Sequence, residues 1–158
     1  KHANKYCSLA SISDNKPVQR TVVLRDMTDD YNLVFFTDKR SKKVEQYQHN
    51  PNAEVLFYNH KKLFQVKVSG TIELLKDKDQ LNYYRQKVQG SSRKDYTTLQ
   101  KPSTAIKNPD NVEYGEELNF AVLLLRTNSI ESLQLKRPNH LRCIFNRKNN
   151  WKGQFLVP

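Results

Sequence analysis

At 158 residues with 37% hydrophobic content, the chain has the size of one domain that can bury a real core, and a single domain over residues 1–158 is expected. A formal net charge of +11 raises the nucleic-acid-binding class. Yet Lys and Arg are spread along the whole chain among Asp26, Asp29, Asp30, Asp77, Asp79, Glu116 and Glu117, the pattern of an ordinary solvated surface.

No apolar run approaches the roughly 20 residues of a membrane-spanning helix and no signal peptide is visible, so a cytoplasmic protein is expected. The chain begins at Lys1 rather than Met, so its natural start, with or without a targeting segment, is expected upstream. Cys7 and Cys143 are far apart, match no metal-ligand spacing and sit in strand-like runs, which reads as two buried free thiols, with a single disulfide as the alternative. His49 and His60, flanked by Asn, read as turn residues, and no metal site is expected.

Short β-branched and aromatic runs dominate the chain. Cys7 to Ile12 reads as a strand, Ser13 to Pro17 as a turn, Val18 to Arg25 as the return strand, and Leu33 to Thr37 as the third strand of a meander. Ser41 to His49, with Val44 and Tyr47 three apart, reads as a short helix ended by Asn50-Pro51. Ala53 to Tyr58 and Leu63 to Leu75 form the next hairpin, and Asp77 to Gln89 reads as a helix capped by Asp77, with Leu81, Tyr84 and Val88 on one stripe. Gly90 to Asn111 shows no period and reads as a long loop. Four further strands are expected at Phe120 to Arg126, Ile130 to Leu135, Leu141 to Asn146 and Trp151 to Val157, the first two separated by a turn at Asn128-Ser129. The count suits a mainly β, antiparallel barrel with Greek-key connections and a few helices.

Arg20 and Arg25 lie five apart on one strand, so they point to opposite faces, and a guanidinium suits phosphate oxygens because it is planar, bidentate and always charged. Ser41, Lys42 and Lys43 at a helix start add a hydroxyl, two cations and free backbone N–H groups, which makes a phosphate the natural guest. Gln65, in an otherwise apolar strand, offers both a donor and an acceptor to a flat hydrogen-bonding ring, and backbone groups of Val22 to Leu24 can serve the same ring. Taken one at a time, each of these residues reads as an exposed strand or helix-end residue. Their joint order and spacing carry the inference.

The blocks Arg20-Thr21-Val22-Val23-Leu24-Arg25, Leu33 to Asp38, Ser41-Lys42-Lys43 and Phe64 to Gly70 resemble the flavin-binding core of the pyridoxamine 5'-phosphate oxidase-like family. The resemblance runs from Tyr6 to Leu75, loosens from Asp77 to Glu117 and returns weakly from Glu131 to Pro158. It implies a split β-barrel that dimerises with FMN bound between the subunits. The cofactor contacts it implies are Arg20, Thr21, Val22, Val23, Leu24, Arg25, Phe36, Thr37, Ser41, Lys42, Lys43, Gln65 and Arg142. Among these, Arg20, Lys42 and Lys43 stand near the ribityl phosphate, Thr37 at a strand end and Gln65 at the flavin edge.

For the substrate, the resemblance implies Arg25, where the family's enzymes carry Lys, together with Arg85 and His140, the last a candidate proton donor. Leu81 stands where a Tyr is expected and Gln89 where a Ser is expected. An Arg-Leu-His-Asp-Arg run reads here as Pro138-Asn139-His140-Leu141-Arg142, and Leu133 takes the position of a Trp. The expected activity is therefore flavin-dependent oxidoreduction of a small molecule other than pyridoxamine phosphate. Three alternatives stand beside it. FMN could be a stored or sensed ligand without turnover, or a deazaflavin or haem could take its place. A basic barrel could instead bind single-stranded nucleic acid, with Phe35, Phe36, Phe57, Tyr58 and Phe64 as stacking groups and Lys61, Lys62 and Lys67 along the phosphates.

Overall fold

Alternating burial organises the first strand of the computed structural model, which describes residues 5–158, so Lys1 to Asn4 of the expected domain lie outside the described residues. Strand β1 (Tyr6–Ser13) turns at Asp14 and Asn15 into β2 (Lys16–Met27). Both turn residues adopt positive φ, as a tight hairpin requires and as Asn and Asp tolerate. Strand β3 (Leu33–Asp38) sends Leu33 and Phe35 inward against Leu9, Val55, Val68, Leu123 and Leu125. Val34 and Phe36 point the other way, toward Tyr84 and Leu124. A strand buried on both faces explains the unbroken apolar run Leu33-Val34-Phe35-Phe36.

Helix α1 (Lys42–His49) follows at once and buries Val44 and Tyr47. Strands β4 (Asn52–Asn59) and β5 (Phe64–Leu74) form the expected hairpin. Helix α2 (Lys78–Gln86) is capped by Asp77, whose carboxylate accepts from the Gln80 N–H at 2.8 Å. Strands β6 (Phe120–Gln134), β7 (Leu141–Asn146) and β8 (Gly153–Leu156) complete the chain. The strand order is β3-β2-β1-β4-β5-β6-β7-β8, all neighbours antiparallel, and a β3–β6 pairing closes the first six strands into a barrel. The β3-α1-β4 connection passes from the β2 side of the first hairpin to its β1 side, a Greek-key step that lays α1 against β1.

The structure corrects the sequence reading in three places. Asn128-Ser129 is no turn: β6 runs for 15 residues through a bulge at Asn128, pairing with β5 from Leu123 onward, with β3 through its first half and with β7 through its second. The polar residues midway are satisfied by distant partners, the Thr127 N–H donating to Asn32 Oδ1 and Arg147 Nε donating to the Thr127 carbonyl. Trp151 is not in the last strand, which starts at Gly153; Asn150 and Trp151 both take positive φ, and the Trp151 ring packs edge-on against Tyr31. The segment after α2, which ends at Gln86, is not featureless, since 3-10 turns form at Gly90–Tyr96 and Pro109–Asn111. The first of these buries Tyr96 with Val88 and Leu118.

Both cysteines are free thiols, on β1 and β7, but Cys143 is half-buried rather than buried as expected. Cys7 is buried, and burial pushes its pKa up to about 12, so it packs as a small inert hydrophobe. The aromatic platform for nucleic acid dissolves, because Phe35 is 1% exposed, Phe36 and Phe57 pack against the cores, and Tyr58 alone of the five is largely exposed. Among the described residues no helix is long and apolar enough to cross a membrane.

Candidate functional site

Where β2, β3 and the start of α1 meet, the chain assembles two cations, Arg20 and Lys43, with the hydroxyls of Ser11, Thr37 and Ser41. Arg20 projects from the same face of the first hairpin as Leu9 and Ser11. Its Nη1 donates to Ser11 Oγ at 2.7 Å and to the Leu9 carbonyl at 3.3 Å, and its Nη2 donates to Gln46 Oε1 of α1 at 2.7 Å. Lys43, in the first turn of α1, donates from Nζ to Thr37 Oγ1 at 3.0 Å and to Ser41 Oγ at 3.4 Å. Thr37 and Ser41 are buried and their hydroxyls lie 3.1 Å apart. Ser41 is the N-cap residue, yet its hydroxyl makes no capping bond, so the first N–H groups of α1 keep their donors.

Neither Arg20 nor Lys43 forms an ion pair among the described residues. Burial, then the charge of Arg20, lowers the Lys43 pKa, with Asp38 opposing them. Two like charges sharing a half-buried corner are a site that an anion would relieve. The sign of the pH dependence follows. Lys43 binds its proton less tightly folded than unfolded, so it adds an increment to apo stability as pH rises from its lowered value toward the ordinary lysine range. Anion affinity moves oppositely and falls through that window as Lys43 loses its charge. Urea denaturation of the ligand-free protein and phosphate-ester titrations, both followed against pH, should show these opposed slopes, and Lys43→Met should flatten both.

The β2 backbone is open beside this corner. Strand β3 pairs with β2 only from Leu24 onward, with a bulge between Leu24 and Asp26, so among the described residues Arg20 to Val23 present their β3-side edge without a strand partner. Val22 and Leu24 pack on the barrel core, whereas Thr21 is exposed. Lys42 is exposed and turns to a cleft of about 510 Å3 between α1 and the Asp14-Asn15 turn.

The remaining expected residues lie elsewhere. Phe36 turns away from Lys43 and meets Tyr84 and Phe120 edge-on, so only its main chain adjoins Thr37. Arg25 is indeed on the face opposite Arg20, its guanidinium over the Phe36 ring at 5.5 Å and 3.5 Å from the Tyr96 hydroxyl. Arg85 is exposed on α2 and lines a groove with Leu81, Asn82 and Phe120. Gln65 and Arg142 share the outer face of the sheet, flanking Leu133 in one cross-strand row. Glu131, itself buried, accepts from Arg142 Nε at 3.0 Å. His140 sits exposed in the β6–β7 connection, its Nδ1 accepting the Lys136 N–H at 3.1 Å. Among the described residues no hydrogen bond or ion pair joins it to Arg25 or Arg85.

Ser11, Gln46 and Tyr96 escape sequence reading. Ser11 and Gln46 hold Arg20 and Tyr96 meets Arg25, each across eight or more intervening residues. The available signals were an inward polar position at the end of an apolar alternation and a Gln one turn beyond Lys42.

Residues 1–76 match the FMN-binding domain of the pyridoxamine 5'-phosphate oxidase family. A pyridoxamine 5'-phosphate oxidase-related, FMN-binding protein from Nostoc punctiforme superposes with a TM-score of 0.79 at 27% identity, over 98% of this chain and 88% of that one. Residues 1–76 belong to the pyridoxamine 5'-phosphate oxidase-related family.

Among curated relatives of this family, the pyridoxine/pyridoxamine 5'-phosphate oxidase of Psychrobacter cryohalolentis is 38% identical over 64% of this chain and 46% of its own length. That of Pelagibacter ubique is 28% identical over 98% of this chain and 65% of its own length. The chain thus spans less than two thirds of the curated relatives it matches. PhzG from Burkholderia lata, solved with tetrahydrophenazine-1-carboxylic acid, shares the fold at a TM-score of 0.79 and 17% identity, covering 98% of this chain and 83% of its own.

FMN is the cofactor of this family's binding domain, and the donor set fits it. The unpaired Arg20 and Lys43 with the Thr37 and Ser41 hydroxyls suit the phosphate, and the open β2 edge and the Gln65 amide suit the ring.

Proposed function

We propose that two copies of this chain form a cytoplasmic dimer that holds FMN between them and oxidises or reduces a small molecule with it. The observation that carries this reading is the division of the donor set. Arg20, Lys43, Thr37 and Ser41 converge at the α1 end of the barrel, on the inward face of β2, whereas Gln65 and Arg142 project from the outer face of the sheet. FMN carries its phosphate at one end and a flat hydrogen-bonding ring at the other, so one chain binds one end and a second chain can close on the other. Tyr6 and Tyr58, in the same outer row as Gln65, are 60% and 55% exposed, apolar area that a second copy would cover.

Bound flavin supplies hydride transfer, and the chain's own residues hold, orient and exclude water. Arg25 and Arg85, on the α2 side and in no ion pair among the described residues, are suited to an acidic group of the substrate. His140 keeps Nε2 for proton transfer because its Nδ1 is bound to the Lys136 N–H. Leu81 and Pro138 carry no side-chain donor where the oxidases bind substrate, which favours a small molecule other than pyridoxamine phosphate. The same losses favour, as the second reading, an FMN carrier or sensor without turnover.

Visible absorption during FMN titration, together with sedimentation of the loaded protein, tests the reading. Flavin bands at one per chain in a dimer are expected. A monomer that saturates with FMN would refute the shared site. Flavin that is reduced and reoxidised only by non-physiological reagents, across a panel of nicotinamides, amines and alcohols, would select the carrier reading.

A further inference from the structure

The turn between β3 and α1 carries an ion pair that the flavin reading does not use. Asp38 is buried, and Arg40 satisfies it from three atoms: the Arg40 N–H at 2.7 Å and Nε at 3.0 Å reach Oδ1, and Nη2 reaches Oδ2 at 2.7 Å. Arg40 also reaches across the chain, with Nη1 donating to the Leu99 carbonyl at 3.1 Å and Nη2 to the Thr98 carbonyl at 2.8 Å. The Thr98 segment is itself paired with Tyr114, and the Lys39 N–H donates to the Asn119 carbonyl. One guanidinium therefore fastens the Thr37 to Ser41 turn to a distant loop and occupies both oxygens of the carboxylate that follows Thr37.

We infer that Arg40 is a positioning residue for the FMN phosphate: by clamping Asp38 it holds the Thr37–Ser41 turn in its anion-binding shape and keeps the Asp38 carboxylate from competing with phosphate for Lys43. This rests on the phosphate assignment above. The physical reason is charge balance in a confined corner. Asp38 is close enough for its charge to act on Lys43, and a carboxylate released from Arg40 would turn toward the free ammonium and repel a phosphate at the same spot. Arg40 is thus required by Asp38, not by the phosphate itself, and that distinction is testable.

The experiment compares FMN with riboflavin, which has the same ring and no phosphate, for the full chain and for Arg40→Ala and the double variant Asp38→Asn/Arg40→Ala. In the unaltered protein FMN should bind far more tightly than riboflavin; equal affinities would refute the phosphate assignment and the inference with it. Arg40→Ala should lose tenfold or more of its FMN affinity and less than threefold of its riboflavin affinity. The double variant, which removes the stranded carboxylate, should regain most of the loss and also serves if Arg40→Ala does not fold. An unchanged FMN-to-riboflavin ratio in Arg40→Ala, or a double variant as weak for FMN as Arg20→Ala, would overturn the role of Arg40 while leaving the phosphate site intact.

Discussion

Arg20→Ala is expected to weaken FMN binding at least tenfold while leaving the fold nearly as stable. The guanidinium is half of the cationic pair that faces the phosphate, and a charge-assisted hydrogen bond to an anion contributes about 1.5–3 kcal/mol, or roughly ten- to a hundredfold in affinity. Its partners in the fold do not depend on it. Ser11 Oγ already donates to Gln46 Oε1 at 2.7 Å, so neither side chain is stranded when the arginine goes. Removing one of two adjacent cations also relieves their repulsion, which offsets part of the lost packing. Fluorescence titration of FMN alongside a thermal melt measures both quantities. Affinity within threefold of the unaltered protein would remove Arg20 from the phosphate site, and a collapse of the melting temperature would make its role structural.

Gly70→Ala is expected to be strongly destabilising, although it adds one methyl group. Gly70 lies on β5 at the register shift opposite β6, and a Cβ there would fall on the carbonyl oxygen of Arg126, inside van der Waals contact. Backbone cannot swing aside as a side chain can, so β5 and β6 must part in the middle of their ladder. A cost of about 3 kcal/mol, at the upper end for overpacking, corresponds to a fall of about 6–12 °C in melting temperature for a domain of this size. The strain should also reach the ligand, because Gln65 lies on the same strand, and FMN affinity should fall with stability. Differential scanning calorimetry and the same FMN titration check this. A melting temperature unchanged within a degree would show that the bulge absorbs a side chain.

The sequence was read well where local chemistry decides. Asp14 and Asn15 turn a hairpin because they tolerate positive φ, Asp77 caps α2 because its carboxylate reaches the Gln80 N–H, and the alternation of Val66 and Val68 with Gln65 and Lys67 sets the two faces of β5. It was misread where a polar pair looked like a turn. Asn128-Ser129 carries turn chemistry, but the neighbouring Thr127 backbone is satisfied by Asn32 and Arg147 from far along the chain, and β5 pairs with β6 on both sides of the bulge at Asn128. Trp151 was misread for the opposite reason: an aromatic with high strand propensity takes a left-handed backbone because Tyr31 and Arg147 pack around its ring.

The same division runs through the candidate site. Residue type and spacing along the chain determined by themselves that Arg20, Ser41, Lys42, Lys43 and Gln65 suit a phosphate and a flat ring, because strand period and helix start are local properties. Only the tertiary structure decided that Arg20 is held by Ser11 and Gln46, that Phe36 turns its ring away, that Arg40 clamps Asp38, and that Gln65 faces outward with Arg142. These are matters of barrel closure, which brings together residues far apart in the chain, and no local pattern encodes which strand a given strand will meet.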